Sequence, residues 1–161
     1  MEEMKIRRIM QADNDAIAKI IKTVMPEFGA CGEGFAINDV EVTDMFKAYQ
    51  QPRSAYFVVE VSGSIIAGGG IAPLQGGEAE TCELKKMYML PPGRGKGLGQ
   101  QLLSKCMEEA KHMGFRYCYL ETFNTMKLAM KLYERNGFEK ISGPMGSTGH
   151  FSCDVFYKCM L

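Results

Sequence analysis

Arg94-Gly95-Lys96-Gly97-Leu98-Gly99 stands between a proline stop and a strong helical pattern, and its residue types suit an anion such as phosphate. The first turn of a helix carries unpaired backbone N–H groups and the positive end of the helix dipole. Glycine lets that backbone approach a phosphate closely, and Arg94 or Lys96 adds charge. A nucleotide P-loop requires Ser or Thr after Gly-Lys, whereas Lys96 is followed by Gly97. The dinucleotide pattern G-x-G-x-x-G also fails. Its third glycine falls on Gln100 counted from Gly95, and on Leu102 counted from Gly97. Glu121 imitates the ribose-binding acid of that fold, but the β-rich stretch upstream does not fit it.

The elements that must carry this loop follow from periodicity and stop signals. A first strand is expected over Lys5 to Met10. Asp13 caps a helix that runs to about Met25, with Ile17, Ile20, Ile21 and Val24 at helical spacing, and Pro26 and Gly29 end it. Residues 29–37 read as a loop, and a weaker second helix spans Val40 to Tyr49. Tyr56–Val61 and Ile65–Ala67 form a hairpin around Ser62-Gly63-Ser64. Gly68-Gly69-Gly70 in the return strand signals a bulge or a close backbone approach. A strand near Cys82–Met89 ends at Pro91-Pro92-Gly93, since proline neither donates to a ladder nor permits helix just before it. Leu98, Leu102, Leu103, Cys106, Met107, Ala110 and Met113 then make one apolar stripe, and Gly114 stops that helix. Tyr117–Leu120 is a strand. Leu128, Ala129, Leu132 and Tyr133 belong to a fourth helix ended by Asn136-Gly137. Two strands, about Phe138–Ile141 and Phe151–Met160, close the chain. The order β, α, α, β, β, β, α, β, α, β, β implies a mixed α/β sheet with helices on its faces, in one domain over residues 1–161.

Composition narrows the function classes. At 161 residues, 46% hydrophobic and 24% charged, the chain can bury a proper core. The six cysteines contain no C-x-x-C pair, so neither a zinc knuckle nor a redox motif is expected, and no metal. Three of them sit in apolar runs and read as reduced core thiols. The start Met1-Glu2-Glu3-Met4-Lys5-Ile6 lacks the features of a signal peptide, and no apolar run reaches the ~20 residues of a membrane span. A cytoplasmic location without a membrane partner is expected. Zero net charge argues against a nucleic-acid partner. Charge is nevertheless uneven. Residues 26–50 hold five acids against Lys47, and residues 81–116 hold seven bases against three acids, which suits a cation at one end and an anion at the other.

The spacing Arg-x-x-Gly-x-Gly, at Arg94, Gly97 and Gly99, resembles the GNAT superfamily of N-acetyltransferases. Glu83–Pro91 leading into Arg94–Leu103 looks like that family's cofactor segment, and Leu132-Tyr133-Glu134-Arg135-Asn136-Gly137-Phe138 looks like its other signature. The element order matches across essentially the whole chain. The resemblance implies a mixed, mostly antiparallel sheet of about seven strands with four helices, in three layers. It also implies acetyl-CoA as cosubstrate. The pyrophosphate would lie on the backbone amides of Gly95, Lys96, Gly97, Leu98, Gly99 and Gln100, and the pantetheine arm along Met87, Tyr88 and Met89.

Acyl transfer to an amine has three needs. An ammonium with a pKa near 10 must lose a proton, an oxyanion needs a donor, and a departing thiolate benefits from an acid. The resemblance assigns the oxyanion donor to a backbone N–H near Met89 and the acid to Tyr133, unless Tyr133 merely packs beside Ala129 and Leu132. Glu83 stands at the offset of the family's base and should share a strand face with Met87 if no bulge intervenes. Glu121, His150 and water remain alternatives. Where relatives often place a cofactor-contacting asparagine, this chain has Met126, and Asn124 lies two residues out of register. Phe28–Phe35 and Gly143–Phe151 would line the acceptor pocket, with Glu27 and Glu33 attracting an amine, while Phe28, Phe35 and Tyr49 read as packing residues. The expected acceptor is a primary amine on a small molecule or amino acid. A protein N-terminus or lysine, and a catalytically silent CoA-binding module, stand as alternatives, with a dinucleotide reductase further off. Exposed edges near the closing strands are compatible with a homodimer.

Overall fold

The computed structural model describes residues 2–161. One seven-stranded sheet runs in the order β1-β2-β3-β4-β5-β7-β6. Its strands are β1 (Met4–Arg8), β2 (Ala55–Val61), β3 (Ser64–Pro73), β4 (Thr81–Met89), β5 (Tyr117–Thr122), β6 (Glu139–Ile141) and β7 (Val155–Met160). The helices are α1 (Asn14–Glu27), α2 (Met45–Ala48), α3 (Leu98–His112) and α4 (Lys127–Arg135). Every pairing is antiparallel except β4 with β5. The expected order and sheet type are both realised.

Two cores flank the sheet. Ile17, Ile20, Ile21 and Val24 of α1 pack with Tyr56 and Val58 on one face. Leu102, Leu103, Cys106 and Ala110 of α3, with Met130 and Tyr133 of α4, pack with Phe57, Val59 and Leu84 on the other. The period-3.6 stripe of α3 is thus its core face. Leu102 and Leu103 are fully enclosed, and truncating either to Ala would cost about 2–5 kcal/mol.

Several boundaries differ from expectation: β1 covers Met4–Arg8 rather than Lys5–Met10, and Asp13 precedes α1 without capping it, its carboxylate accepting instead from Arg7 and the Met10 amide. The helix over Val40–Tyr49 is instead a 3-10 turn (Val40–Thr43) followed by the four residues of α2. Asp44, at φ −152° and ψ 76°, leaves helical geometry between them, and its carboxylate accepts from the Lys47 amide. Asn14 ties both pieces to α1 by bonding Asp44 and the Phe46 amide. Pro26 does not stop α1 but lies in its last turn, and Gly29 at φ +81° follows the end. The last strand begins only at Val155, because residues before it form the loop that reaches the site.

The middle of the sheet is irregular for a steric reason. A Cβ on Gly68 would meet the Tyr56 ring at 2.6 Å, and one on Gly70 would meet the Ala55 carbonyl oxygen at 2.6 Å. With glycine there, the Tyr56 hydroxyl passes across and donates to the Lys86 carbonyl at 2.7 Å. Lys86 itself sits at φ +50°, and the β3–β4 register shifts beside it. This bulge reverses the alternation of β4. Cys82, Leu84, Met87 and Met89 face the α3 core, while Tyr88 and Leu90 face the α1 core. The expectation that Glu83 and Met87 share a face is therefore corrected: the extra residue at Lys86 moves Met87 to the opposite side.

Candidate functional site

Strands β4 and β5 pair only over Thr81–Glu83 and Tyr117–Tyr119. Beyond Glu83 the two diverge, and β4 continues to Met89 bonded to β3 alone. The β5-facing edge of β4 is thus open where an extended chain could add to it.

A groove of about 430 Å³ lies along this edge. Met87, Tyr88 and Met89 line its floor, and Arg94, Gly95, Gly97, Gly99 and Gln100 line its end. Gly95 and Gly97 have φ of +75° and +76°, which an L side chain resists. Nothing crowds either α-carbon, so backbone conformation is what demands glycine there. Gly97 opens α3, and the Gln101 amide is the one that returns to the Gly97 carbonyl. The amides of Leu98, Gly99 and Gln100 precede that bond and are left for an anion. Lys96, Leu98 and Asn124 are outside the groove lining; Leu98 is buried against the core and Asn124 bonds Asp154. Met126, by contrast, lines it.

Arg94 reaches the groove with its charge already committed. Its Nη1 and Nη2 pair with the Glu27 carboxylate, and Nε and Nη2 donate to the Met89 carbonyl at 3.1 and 2.9 Å. Glu27 is accordingly matched rather than free to attract an amine. A feature that sequence reasoning missed is the basic stripe opposite. Lys127, Lys131 and Arg135 of α4 all line the groove. Their spacing of four residues puts them on one helix face, which is the signal that could have found them. Gln100 and Asn136 exchange amide hydrogen bonds at 2.8 Å and fasten the start of α3 to the end of α4.

A second cavity of about 40 Å³ adjoins the groove. Met87, Tyr88, Met126 and Tyr133 line both. Tyr133 is buried, and among the described residues its hydroxyl has no hydrogen-bond partner; burial pushes it well above the ordinary tyrosine range. Deeper in, Glu83 lines the cavity with 5% exposure. Burial raises its carboxyl to about 7, with Lys85, His150 and Lys86 pulling the other way. Its carboxyl likewise has no hydrogen-bond partner among the described residues.

Around Glu83 the other charges are paired. His150 Nε2 lies 2.7 Å from Asp39 and Nδ1 3.4 Å from Glu121. Burial would lower His150, but these two carboxylates outweigh it and raise the imidazole to about 9. Lys86 pairs with Asp39 at 2.7 Å and also with Glu41, while Lys85 lies 3.3 Å from Glu41. Burial works against the charge on Asp39, yet the His150 bond and the Lys86 charge hold it below its usual range. Glu121 is held down likewise by His150, Thr148 and Tyr119, the last donating at 2.6 Å. Glu83, Glu121 and His150 offer ligand atoms within 4.8 Å of one another. His150 would have to surrender a carboxylate to hold a cation there.

Of the two segments expected at the acceptor end, 143–151 contributes His150, which meets Glu83 together with the alternative base Glu121, whereas 28–35 contributes no lining to this cavity. Phe28 lies on the groove instead. Phe35 packs edge-on against Phe123 at 5.4 Å, and Tyr49 is buried against Tyr56 and bonded to Glu41.

Residues 18–138 match the family model described as Acetyltransferase (GNAT) family. The chain is 47% identical to the uncharacterized N-acetyltransferase YjgM of Escherichia coli (strain K12) over 93% of this chain and 90% of that protein. It is 32% identical to the IAA acetyltransferase of Azospirillum brasilense over 67% of this chain and 69% of that one. The fold is similar to a GNAT-family acetyltransferase of Staphylococcus aureus Mu50, with a TM-score of 0.85, 19% identity, and coverage of 98% of this chain and 99% of that one. It is also similar to yncA of Salmonella typhimurium, solved with its cofactor acetyl-CoA, with a TM-score of 0.78, 21% identity, and coverage of 98% and 93%. This chain belongs to the GNAT family of acetyltransferases and is an acyltransferase.

Proposed function

We propose that the protein transfers the acetyl group of acetyl-CoA directly to a primary amine within a ternary complex. The observation that carries this reading is the junction of the two cavities at Met87, Tyr88, Met126 and Tyr133. A thioester lying along the groove would present its carbonyl where an amine beside Glu83 can reach it. The pantetheine arm follows the open edge of β4 over Met87–Met89. The pyrophosphate takes the amides of residues 95–100, with Lys127, Lys131 and Arg135 adding charge.

Glu83 takes the proton from the ammonium, directly or through water; a carboxyl near pH 7 is suited to that exchange. The amine nitrogen then attacks the thioester carbon, a C–N bond forms, and the oxyanion accepts from a backbone N–H near Met89. The oxyanion collapses, the C–S bond breaks and the thiolate takes the Tyr133 hydroxyl proton, while the nitrogen gives up its second proton, directly or through water, to the Tyr133 phenolate and restores the hydroxyl. Tyr133 stays neutral until that step because burial disfavours its anion. No metal enters this scheme. The free cysteines Cys82, Cys106 and Cys118, buried in the core on the α3 side of the sheet, suit a reducing compartment such as the cytoplasm.

Initial rates with acetyl-CoA and amine both varied test this scheme. Intersecting double-reciprocal lines are expected from a ternary complex. Parallel lines would indicate an acetyl-enzyme and remove direct transfer. CoA binding without turnover on any amine would leave a silent CoA-binding module.

A further inference from the structure

The acceptor cavity has a charge pattern that selects among amines, on the reading that it serves amine acetylation. Its wall contains three cations among the described residues, Lys85, Lys86 and His150. All are already matched: Lys86 by Asp39 and Glu41, Lys85 by Glu41, and His150 by Asp39 and Glu121. Three acids thus balance three bases. Glu83 is left over, 5% exposed and facing the cavity without a hydrogen-bond partner among the described residues. Once Glu83 ionises, one positive charge is missing, and an ammonium supplies it.

A substrate carboxylate finds nothing comparable. No cation of the described wall is free to receive it without breaking a pair with Asp39, Glu41 or Glu121. Burying an unpaired carboxylate next to Glu83 would place two like charges in one desolvated space. Room is also short. The cavity of about 40 Å³ holds roughly three water-sized groups, at about 10–15 Å³ each. A –CH2–NH3+ end takes up most of that space, whereas the three further heavy atoms of a carboxylate or carboxamide on the nitrogen-bearing carbon do not fit beside it.

We propose that the acceptor is an unbranched primary amine, R–CH2–NH3+, with no carboxylate on the carbon that bears the nitrogen. The residues that impose this are Glu83, as the partner of the ammonium, and the Asp39–His150–Glu121 bridge, which consumes the positive charge an amino acid would need.

Butylamine, norvaline and norvalinamide separate the two causes, because norvaline adds a carboxylate to butylamine and norvalinamide adds a branch of similar size without charge. Steady-state kcat/KM should be at least about a hundredfold higher for butylamine than for norvaline, with norvalinamide between them. Norvaline equal to or better than butylamine would overturn the proposal while leaving amine acetylation standing. Acetyl-CoA binding with none of the three acetylated would overturn the proposal, and the same failure across amines of every class would overturn amine acetylation as well.

Discussion

His150 Nε2 lies 2.7 Å from Asp39 Oδ2 and joins the loop before β7, at the wall of the small cavity, to the segment after α1. The same imidazole faces Glu121 of β5 through Nδ1. One side chain therefore holds three separate parts of the chain around Glu83.

That bridge has a pH signature. The imidazole is raised from about 6.5 to about 9 on folding, so its contribution is complete below pH 6.5 and lost as pH rises through 9. His150→Gln should lower Tm by roughly 2–4 °C at pH 6, equivalent to about 1 kcal/mol after discounting for partial exposure. The difference from wild type should shrink toward zero by pH 10. Thermal unfolding followed by circular dichroism across that range checks it.

Glu83 should act on both rate and stability. With its carboxyl raised to about 7, kcat/KM in wild type should climb with pH through an acidic limb near 7. Glu83→Gln should lose that limb and fall by about 10²–10⁴ in turnover. The raised value also means that ionisation opposes folding: the favourable contribution is complete below 4.5 and lost as pH rises through 7. Glu83→Gln should therefore gain stability relative to wild type over that interval. A pH–rate profile that keeps its limb in the variant would remove Glu83 as the base.

Tyr133→Phe should separate chemistry from binding. The ring packs against Phe138 and Tyr157 at 5.8 and 6.1 Å, and Phe preserves that packing. Turnover should drop by about 10²–10⁴ with CoA affinity unchanged by calorimetric titration. Full turnover in the variant would reduce Tyr133 to a packing residue.

Local pattern makes much of the fold and site legible in the amino-acid sequence, and what escapes it has identifiable causes. The stripe Leu98–Leu102–Cys106 and the stop at Gly137 mark α3 and α4 because each rests on local periodicity and local backbone preference. Glu83, Tyr133 and the glycine loop are likewise visible as residue types at fixed offsets. The bulge at Lys86 is not. Gly68–Gly70 announces an irregularity in β3, but its effect falls on the neighbouring strand, through a Tyr56 hydroxyl arriving from a third. The commitment of Arg94 to Glu27 and of His150 to Asp39 spans 67 and 111 positions, and pairings at such separations leave no local pattern.

The basic stripe of α4 predicts a graded loss of donor binding. Lys131→Ala and Arg135→Ala should each weaken CoA by about two- to fivefold, consistent with exposed charge contacts of about 0.2–1 kcal/mol. Raising salt should shrink the effect. Calorimetry at two ionic strengths measures both.

Gly97→Ala tests the loop itself. Placing a side chain at φ +76° should cost about 1–2 kcal/mol of stability. No atom lies within 4 Å of the added methyl, so the loss would report backbone strain rather than a clash. Weaker CoA binding should accompany it, because the strain relaxes by moving the Leu98 and Gly99 amides.

The most direct test of acetyl transfer counts both products in one tube. Protein, acetyl-CoA and butylamine are mixed, free CoA thiol is followed by absorbance, and N-butylacetamide is followed by mass spectrometry. Thiol and amide should appear at the same rate, one for one, and both should fall together in Tyr133→Phe. Thiol release without the amide, or CoA binding with neither product across amines of every class, would contradict the account.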